Sequence, residues 1–283
     1  MNKLLSAGFS RLKKDKFFWL GILFMFFMGG FVVVKNYIDY KRYHYTFDLK
    51  LDNYFFGYTI FIGLIAAIFC SLFIGVEYSD GTIRNKLVIG HSRMAIYLSN
   101  LILSTTAAIL TNLAFIAAIS ITGIPLLGAL KTDMKIVLFL LLASILTTIS
   151  FTAIFTLLSM LIQSKTIVAI VNILGFIALW MIAITIYQRL SAPEFHQNIM
   201  ISDNVSYMDS SDTDVEPIPN PNYLNEKERK WHQFFYDFVP TGQALQISNL
   251  SVPNGMQMLL YSLFIIVLTT GGGIFFFKRK DLK

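Results

Sequence analysis

VEYSDGTIRNKLVIGHSR, residues 76–93, is the stretch on which the reading of the fold turns. It carries five charges, Glu77, Asp80, Arg84, Lys86 and Arg93, between two long apolar runs that have none. Such a stretch is either an ordinary polar loop between membrane spans or a structured surface. Its residues favour the surface. Ser79 or Asp80 is placed to cap a short helix, and Gly90 to end it. Ile83 and Leu87 share one face at i and i+4, flanked by Arg84 and Lys86. Ser92 is placed to cap the next helix, which runs on into the following apolar run. A short amphipathic helix held between two capped ends is a rigid knob, and a partner could bind its apolar face and basic side chains. Basic anchoring of the spans alone explains Arg84, Lys86 and Arg93, but not the caps or the apolar face.

Outward from this stretch the chain reads as membrane-embedded. Of 283 residues, 55% are hydrophobic and only 14% charged, against about 25% charged in soluble domains. Mean hydropathy is +0.61. The net charge of +6 does not point to nucleic acid, because the basic residues are spread between apolar runs and not gathered on one face. The single cysteine, Cys70, forbids an intrachain disulfide. A span takes roughly 20 apolar residues, and six runs are long enough: 17–34, 54–75, 98–119, 136–162, 166–187 and 256–277. The expected fold is an all-α membrane protein, one domain over residues 1–283.

Orientation follows from the basic residues. With six spans both termini lie on one side, and that side holds 13 basic and 4 acidic residues. The other side holds 10 basic and 13 acidic residues, so both termini are expected in the cytoplasm of a cell-membrane protein. The first span lacks a cleavage pattern and is expected to be retained.

Residues 1–16 read as an amphipathic helix on the inner surface, with Leu4, Leu5, Phe9 and Leu12 at helical spacing and Arg11, Lys13, Lys14 and Lys16 facing anionic headgroups. Residues 35–53 are expected as a Tyr-rich outer loop. A short outer turn around Gly123, Pro125 and Gly128 joins the third and fourth spans, and Gln163 to Lys165 join the fourth and fifth inside. Residues 188–255 form the largest outer segment. Its acidic first part, 202–230, reads as loop. Its second part predicts a helix through NEKERKWHQFFYDF, a break at Pro240 and a helix from Thr241. Phe234, Phe235 and Phe238 are expected on the outer membrane surface or capping the spans.

Several chemistries find no residues here. No Gly-Lys pair exists for a phosphate loop, the four His lack metal-ligand spacing, and no G-x-S-x-G elbow occurs. The chain is expected not to be an enzyme, and to bind no metal or cofactor of its own. The six runs also contain no Asp, Glu, Lys, Arg or His. Ion-coupled carriers keep such groups in their spans, so energy is expected from outside the membrane domain. Ser144, Thr148 and Thr152 fall at i, i+4 and i+8 of the fourth run. With Asn172 they are either helix–helix contacts or a substrate-facing lining, and the former is favoured. Gly29-Gly30 and Gly271-Gly272-Gly273 predict close packing or kinks.

VEYSDGTIRNKLVIGHSRMAIYLSNLI, residues 76–102, resembles the loop between the second and third spans of ABC-2 type permeases, where an E-x-x-x-G-T-I-R-N-K-L…G-x-S-R pattern is typical. The matching residues are Glu77, Gly81, Thr82, Ile83, Arg84, Asn85, Lys86, Leu87, Gly90, Ser92 and Arg93, with Asp80 inside the pattern. VPTGQALQIS, residues 239–248, resembles the family's outer segment before the last span. The resemblance implies a pair of permease chains, the homodimer expected over the heterodimer, with separate ATP-binding subunits that hold ATP and Mg. It makes residues 76–97 the coupling helix region, seated in a cleft of the ATP-binding subunit, and lines a path with the second and fifth spans. It also implies export of lipids, drugs or peptides, and looks most like exporters of antimicrobial and cytolytic peptides, phenol-soluble modulins among them. An ion-coupled carrier and a membrane scaffold or sensor are the competing expectations.

Overall fold

Three capping side chains set where three consecutive long helices start. In this computed structural model, which describes residues 1–43, 48–195 and 219–281, Ser92, Asp133 and Ser164 each accept a backbone N–H of the helix they precede. Those helices are α6 (Arg93–Leu127), α7 (Met134–Leu161) and α8 (Lys165–Leu190). Before them come α1 (Asn2–Lys14), α2 (Lys16–Tyr43), α3 (Asp52–Phe55), α4 (Thr59–Ser79) and α5 (Thr82–Val88). After them come α9 (Glu226–Phe238), α10 (Pro240–Ser248) and α11 (Gly255–Arg279). Six helical segments are long and apolar enough to cross a membrane, in the order expected from the sequence. The fold is an all-α membrane protein, with no strand among the described residues.

The boundaries differ from expectation where polar residues prolong a helix. α2 continues through Lys35 and Asp39, an i,i+4 ion pair, to Tyr43, so the start of the expected outer loop is helix. α6 continues through Gly123 and Pro125 to Leu127, and the chain turns at Gly128, whose φ is +83°. Pro125 removes an N–H bond only in the last turn, where little helix depends on it. Residues 196–218, most of the acidic stretch expected as loop, lie outside the described residues.

α4 and α7 form the centre, with 61% and 56% of their apolar windows buried, against 22% for each of α2, α8 and α11. α2 packs along α6, α11 along α7, and α4 against both α7 and α8. At Gly29 the backbones of α2 and α6 come so close that a Cβ would stand 2.7 Å from the Phe115 carbonyl oxygen. In the last span the expected close packing is confined to Gly273, which lies against Tyr97. Gly271 and Gly272 face open space.

The segment before the last span folds as its sequence suggests. Asn225 and Glu228 make a capping box for α9, Val239 is extended, and Pro240 opens α10. α10 then dips among the spans and is buried along most of its length. Thr59 donates to the Ala244 carbonyl at 2.8 Å and Thr241 to that of Leu179 at 2.8 Å. The Gln243 side chain accepts from Thr147 and Ser262 and donates to the Asp237 carbonyl. Phe234 and Phe238 stack on one another and meet Tyr261 of α11 edge-on.

Candidate functional site

The charged stretch leaves α4 through a left-handed residue. Gly81 has φ +66°, which lets the chain reverse into α5 with no side chain strained. Neither Ser79 nor Asp80 caps α5, contrary to expectation. The Ser79 hydroxyl turns back onto the Gly75 and Val76 carbonyls, and Gly81 occupies the cap position. The other end closes as expected. Gly90, φ +97°, donates to Leu87, and His91 donates to Lys86, the paired bonds of a Schellman motif. Ser92 then accepts from Ala95 and starts α6.

The orientation of α5 is the main departure from the sequence reading. Ile83 is 1% exposed and Leu87 half-buried, so the apolar face expected to meet a partner is turned onto the chain's own bundle. What stands free is Asp80, Arg84, Asn85 and, just beyond, Val88 and Ile89, exposed by 81% and 76%. Thr82 lies between the two faces. Beside α5 is a cleft of about 260 Å³ lined by Glu77, Tyr78, Ser79, Gly81, Ile83, Arg84 and Gln163.

Glu77 holds this arrangement together. α4 runs four residues past the expected end of the second span and carries Glu77 to 2% exposure. Its carboxylate pairs with Arg11 of α1 and Lys86 of α5, and accepts from the Asn100 side chain of α6 at 2.9 Å. One buried anion thus ties four helices, and each charge is matched by a charge-assisted bond. Arg11 is fully engaged: it also donates to the Phe73 carbonyl at 3.1 Å and lies 3.6 Å above the Phe73 ring. The expected role of Arg11 toward lipid headgroups is therefore corrected, whereas Lys13, Lys14 and Lys16 remain exposed. Leu4 and Leu12 are buried as well, so α1 spends its apolar face on α6 and the bundle.

Next to this joint the C-terminal end of α11 is clamped. Arg93 donates to the carbonyls of Phe277 and Lys280, the orphan acceptors of a helix end. Lys280 reaches Tyr78 and the Met160 carbonyl at 3.0 Å each. Burial, reinforced by nearby Arg93, pushes the Lys280 ammonium down to about 8.

The hydroxyl stripe of α7 is wholly internal. Ser144 bonds Tyr58 of α4 at 2.7 Å, Thr148 accepts from Asn112 of α6 at 3.1 Å, and Thr152 bonds Thr105 of α6 at 2.8 Å. Asn172 of α8 donates to Ser71 and Ser159 at 2.9 and 3.0 Å. These residues fasten helices within one chain, and none of them lines an open path.

The interior contacts of Arg11, Asn100, Lys280 and Gln243 were not anticipated. Arg11 left a signal: seven residues after Leu4, it falls on the apolar face of α1, where a cation needs a buried partner. The others required the tertiary arrangement.

Six helices long and apolar enough to cross a membrane, with a short helix standing at one end, define a multi-pass membrane protein. The chain belongs to the ABC-2 family transporter proteins, whose family model matches residues 4–181, from α1 into α8. Comparison with curated proteins and with solved structures returns no match. Family membership implies an ABC ATP-binding partner.

Proposed function

We propose that the chain is the permease of an exporter of amphipathic peptides, and that a separate subunit hydrolyses the ATP that drives it. The observation that carries this reading is the division of α5 into two faces. Ile83, Lys86 and Leu87 root it in the bundle through Glu77, while Arg84, Asn85, Val88 and Ile89 face outward. Two large apolar side chains exposed beside a cation on a stiff support are what a docking hot spot requires. A push on that face is transmitted through Glu77 to α1, α4 and α6 together. Both termini and α5 lie in the cytoplasm of a cell-membrane protein, and two copies of the chain flank the path. The ATP-binding subunit holds ATP and Mg, and this chain contributes no catalytic group. Branched and aromatic spans suit an amphipathic cargo, and the small single-domain layout, which looks most like that of peptide exporters, supports peptides over lipids or drugs.

Two measurements test this reading. With the ATP-binding subunit co-expressed, Val88→Asp combined with Ile89→Asp is expected to abolish co-purification while the permease stays folded. Ile83→Asp is expected to unfold the loop, because it buries an unpaired carboxylate. Retention of the ATPase by the double variant would remove the docking assignment. For the cargo, ATPase activity of the reconstituted complex is expected to rise with amphipathic helical peptides. A rise with lipids alone would replace the peptide reading.

A further inference from the structure

The last span carries three consecutive glycines, Gly271, Gly272 and Gly273, inside α11. In a helix interior glycine is the weakest residue after proline, so each needs a reason. Gly273 has one, because a Cβ there would run into the Tyr97 hydroxyl. Gly271 and Gly272 have none, since a Cβ at either would stand in open space. Helices that approach closely do so along small residues four apart. The positions four before and four after these two glycines are Val267, Phe275, Leu268 and Phe276, all large and exposed.

Two further features weaken the same turn. Tyr97 of α6 donates to the Thr269 carbonyl at 3.4 Å, the acceptor that the Gly273 N–H uses in a regular helix. The Thr270 hydroxyl is buried with no partner, although Thr269 beside it donates back to the Ile265 carbonyl. The two sides of the turn are also held by different parts of the molecule. Beyond it, Arg93 holds the Phe277 and Lys280 carbonyls, Lys280 reaches Tyr78 at the end of α4 and the Met160 carbonyl at the end of α7, and Gln163 donates to the Asp281 carbonyl at 3.0 Å. Before it, Ser262 donates to Gln243 of α10 and its carbonyl accepts from Ser150, near the middle of α7. Tyr261 there meets Phe234 and Phe238 of α9.

We propose that α11 is hinged at Gly271 and Gly272. Residues 274–281 move with the α5 end of the bundle, while the stretch from Gly255 to Thr270 stays with α9, α10 and the middle of α7. Two glycines without packing duties absorb the change in backbone angles. The free Thr270 hydroxyl takes up a carbonyl that the bend releases. The hinge follows from the chain alone, and only its being driven by ATP rests on the docking role given to α5 above.

Hydrogen exchange of the full-length protein in mild detergent, read by mass spectrometry, tests the hinge. Amides of residues 271–275 are expected to exchange faster than those of 258–266 in the same helix. Gly271→Ala combined with Gly272→Ala is expected to slow them about twentyfold and to raise Tm by about 4 °C, because both side chains enter open space. Tyr97→Phe, which removes the competing donor, is expected to slow exchange at Gly273 by a smaller factor. In the complex with the ATP-binding subunit, reconstituted in phosphatidylcholine and phosphatidylglycerol vesicles, the double alanine variant is expected to turn over ATP several-fold more slowly despite its higher Tm. Exchange in 271–275 as slow as in 258–266, or unchanged by the alanines, would overturn the hinge. A lower Tm in the double variant would show the glycines packed against a second copy and would overturn it too. Unchanged ATP turnover would remove the bend from the working cycle. Val88→Asp with Ile89→Asp is expected to leave the exchange of 271–275 as it is, so a failure of the docking role and a failure of the hinge are told apart.

Discussion

The two ends of the bundle bury carboxylates in opposite ways. At the α5 end, Glu77 is matched by two cations, Arg11 and Lys86, from two other helices. At the α9 end, neutral donors suffice. Asp52 accepts the backbone N–H groups of Lys131 and Thr132, the latter at 2.7 Å, just past α6. Asp237 accepts from the side chains of Gln233 at 2.7 Å and Asn254 at 2.8 Å. The contrast separates two tasks. Backbone and amide donors pin a turn in one local geometry, whereas long charged side chains join helices distant in sequence and keep them moving as a unit. Under the function proposed above, the α5 end passes on a displacement and the α9 end holds its turns in place.

The largest expected effect is at the charged joint. Glu77→Ala leaves two cations facing one another in a mostly buried site, and removing one member of a buried pair costs about 3–5 kcal/mol. Because Arg11 is 32% exposed and Lys86 19%, the lower figure of about 3 kcal/mol is expected, read as a drop in thermal stability in detergent. Arg11→Gln should cost less, since its site admits solvent screening. A Glu77 variant no less stable than wild type would erase the distinction between the two ends.

Neutralising the other end is expected to matter less. Asp52→Asn keeps the oxygen that accepts both backbone N–H groups and loses only the charge assistance, about 1 kcal/mol, whereas Asp237→Asn also sets an amide NH2 against one of its two side-chain donors and is expected to cost about 1–2 kcal/mol. A loss from either as large as that from Glu77→Ala would mean that the outer turns, too, carry a long-range load. Val88→Asp should shift stability by no more than about 0.5 kcal/mol, because its side chain meets solvent. Its effect should appear only as lost ATPase co-purification.

The smallest effect is a pH dependence at the clamp. Lys280 releases its proton at about 8 in the fold, below the ordinary 10.5, through burial and the nearby Arg93 charge. Between those values the unfolded chain holds more protons than the folded one, so stability rises with pH across that window. Below about 8 the cost of the buried ammonium is fully present. Lys280→Met is expected to flatten the rise in a series of thermal melts from pH 7 to pH 10. A rise that persists undiminished in that variant would assign it to another group.

Much of the architecture was legible because lipid imposes it. Unbroken apolar runs, basic flanks and capping residues such as Ser92 and Asn225 act locally and leave local signatures. The helix through residues 226–238 and the break at Pro240 were read correctly for the same reason. The site was less legible. Helical spacing places Ile83 and Leu87 on one face but does not say what that face meets, and it met the bundle. The same spacing placed Arg11 among leucines without naming Glu77, which lies 66 residues away.

The sequence by itself determined the membrane class, the number of spans, the start of α6 at Ser92 and the family-like pattern in residues 76–93. The tertiary structure alone decided which face of α5 looks outward, where Arg11 and Asn100 converge, and that the hydroxyls of α7 fasten helices. The physical reason is one of range. Propensity, capping and hydropathy are settled within a few turns of chain, whereas the partner of a buried charge is set by which distant helices pack together.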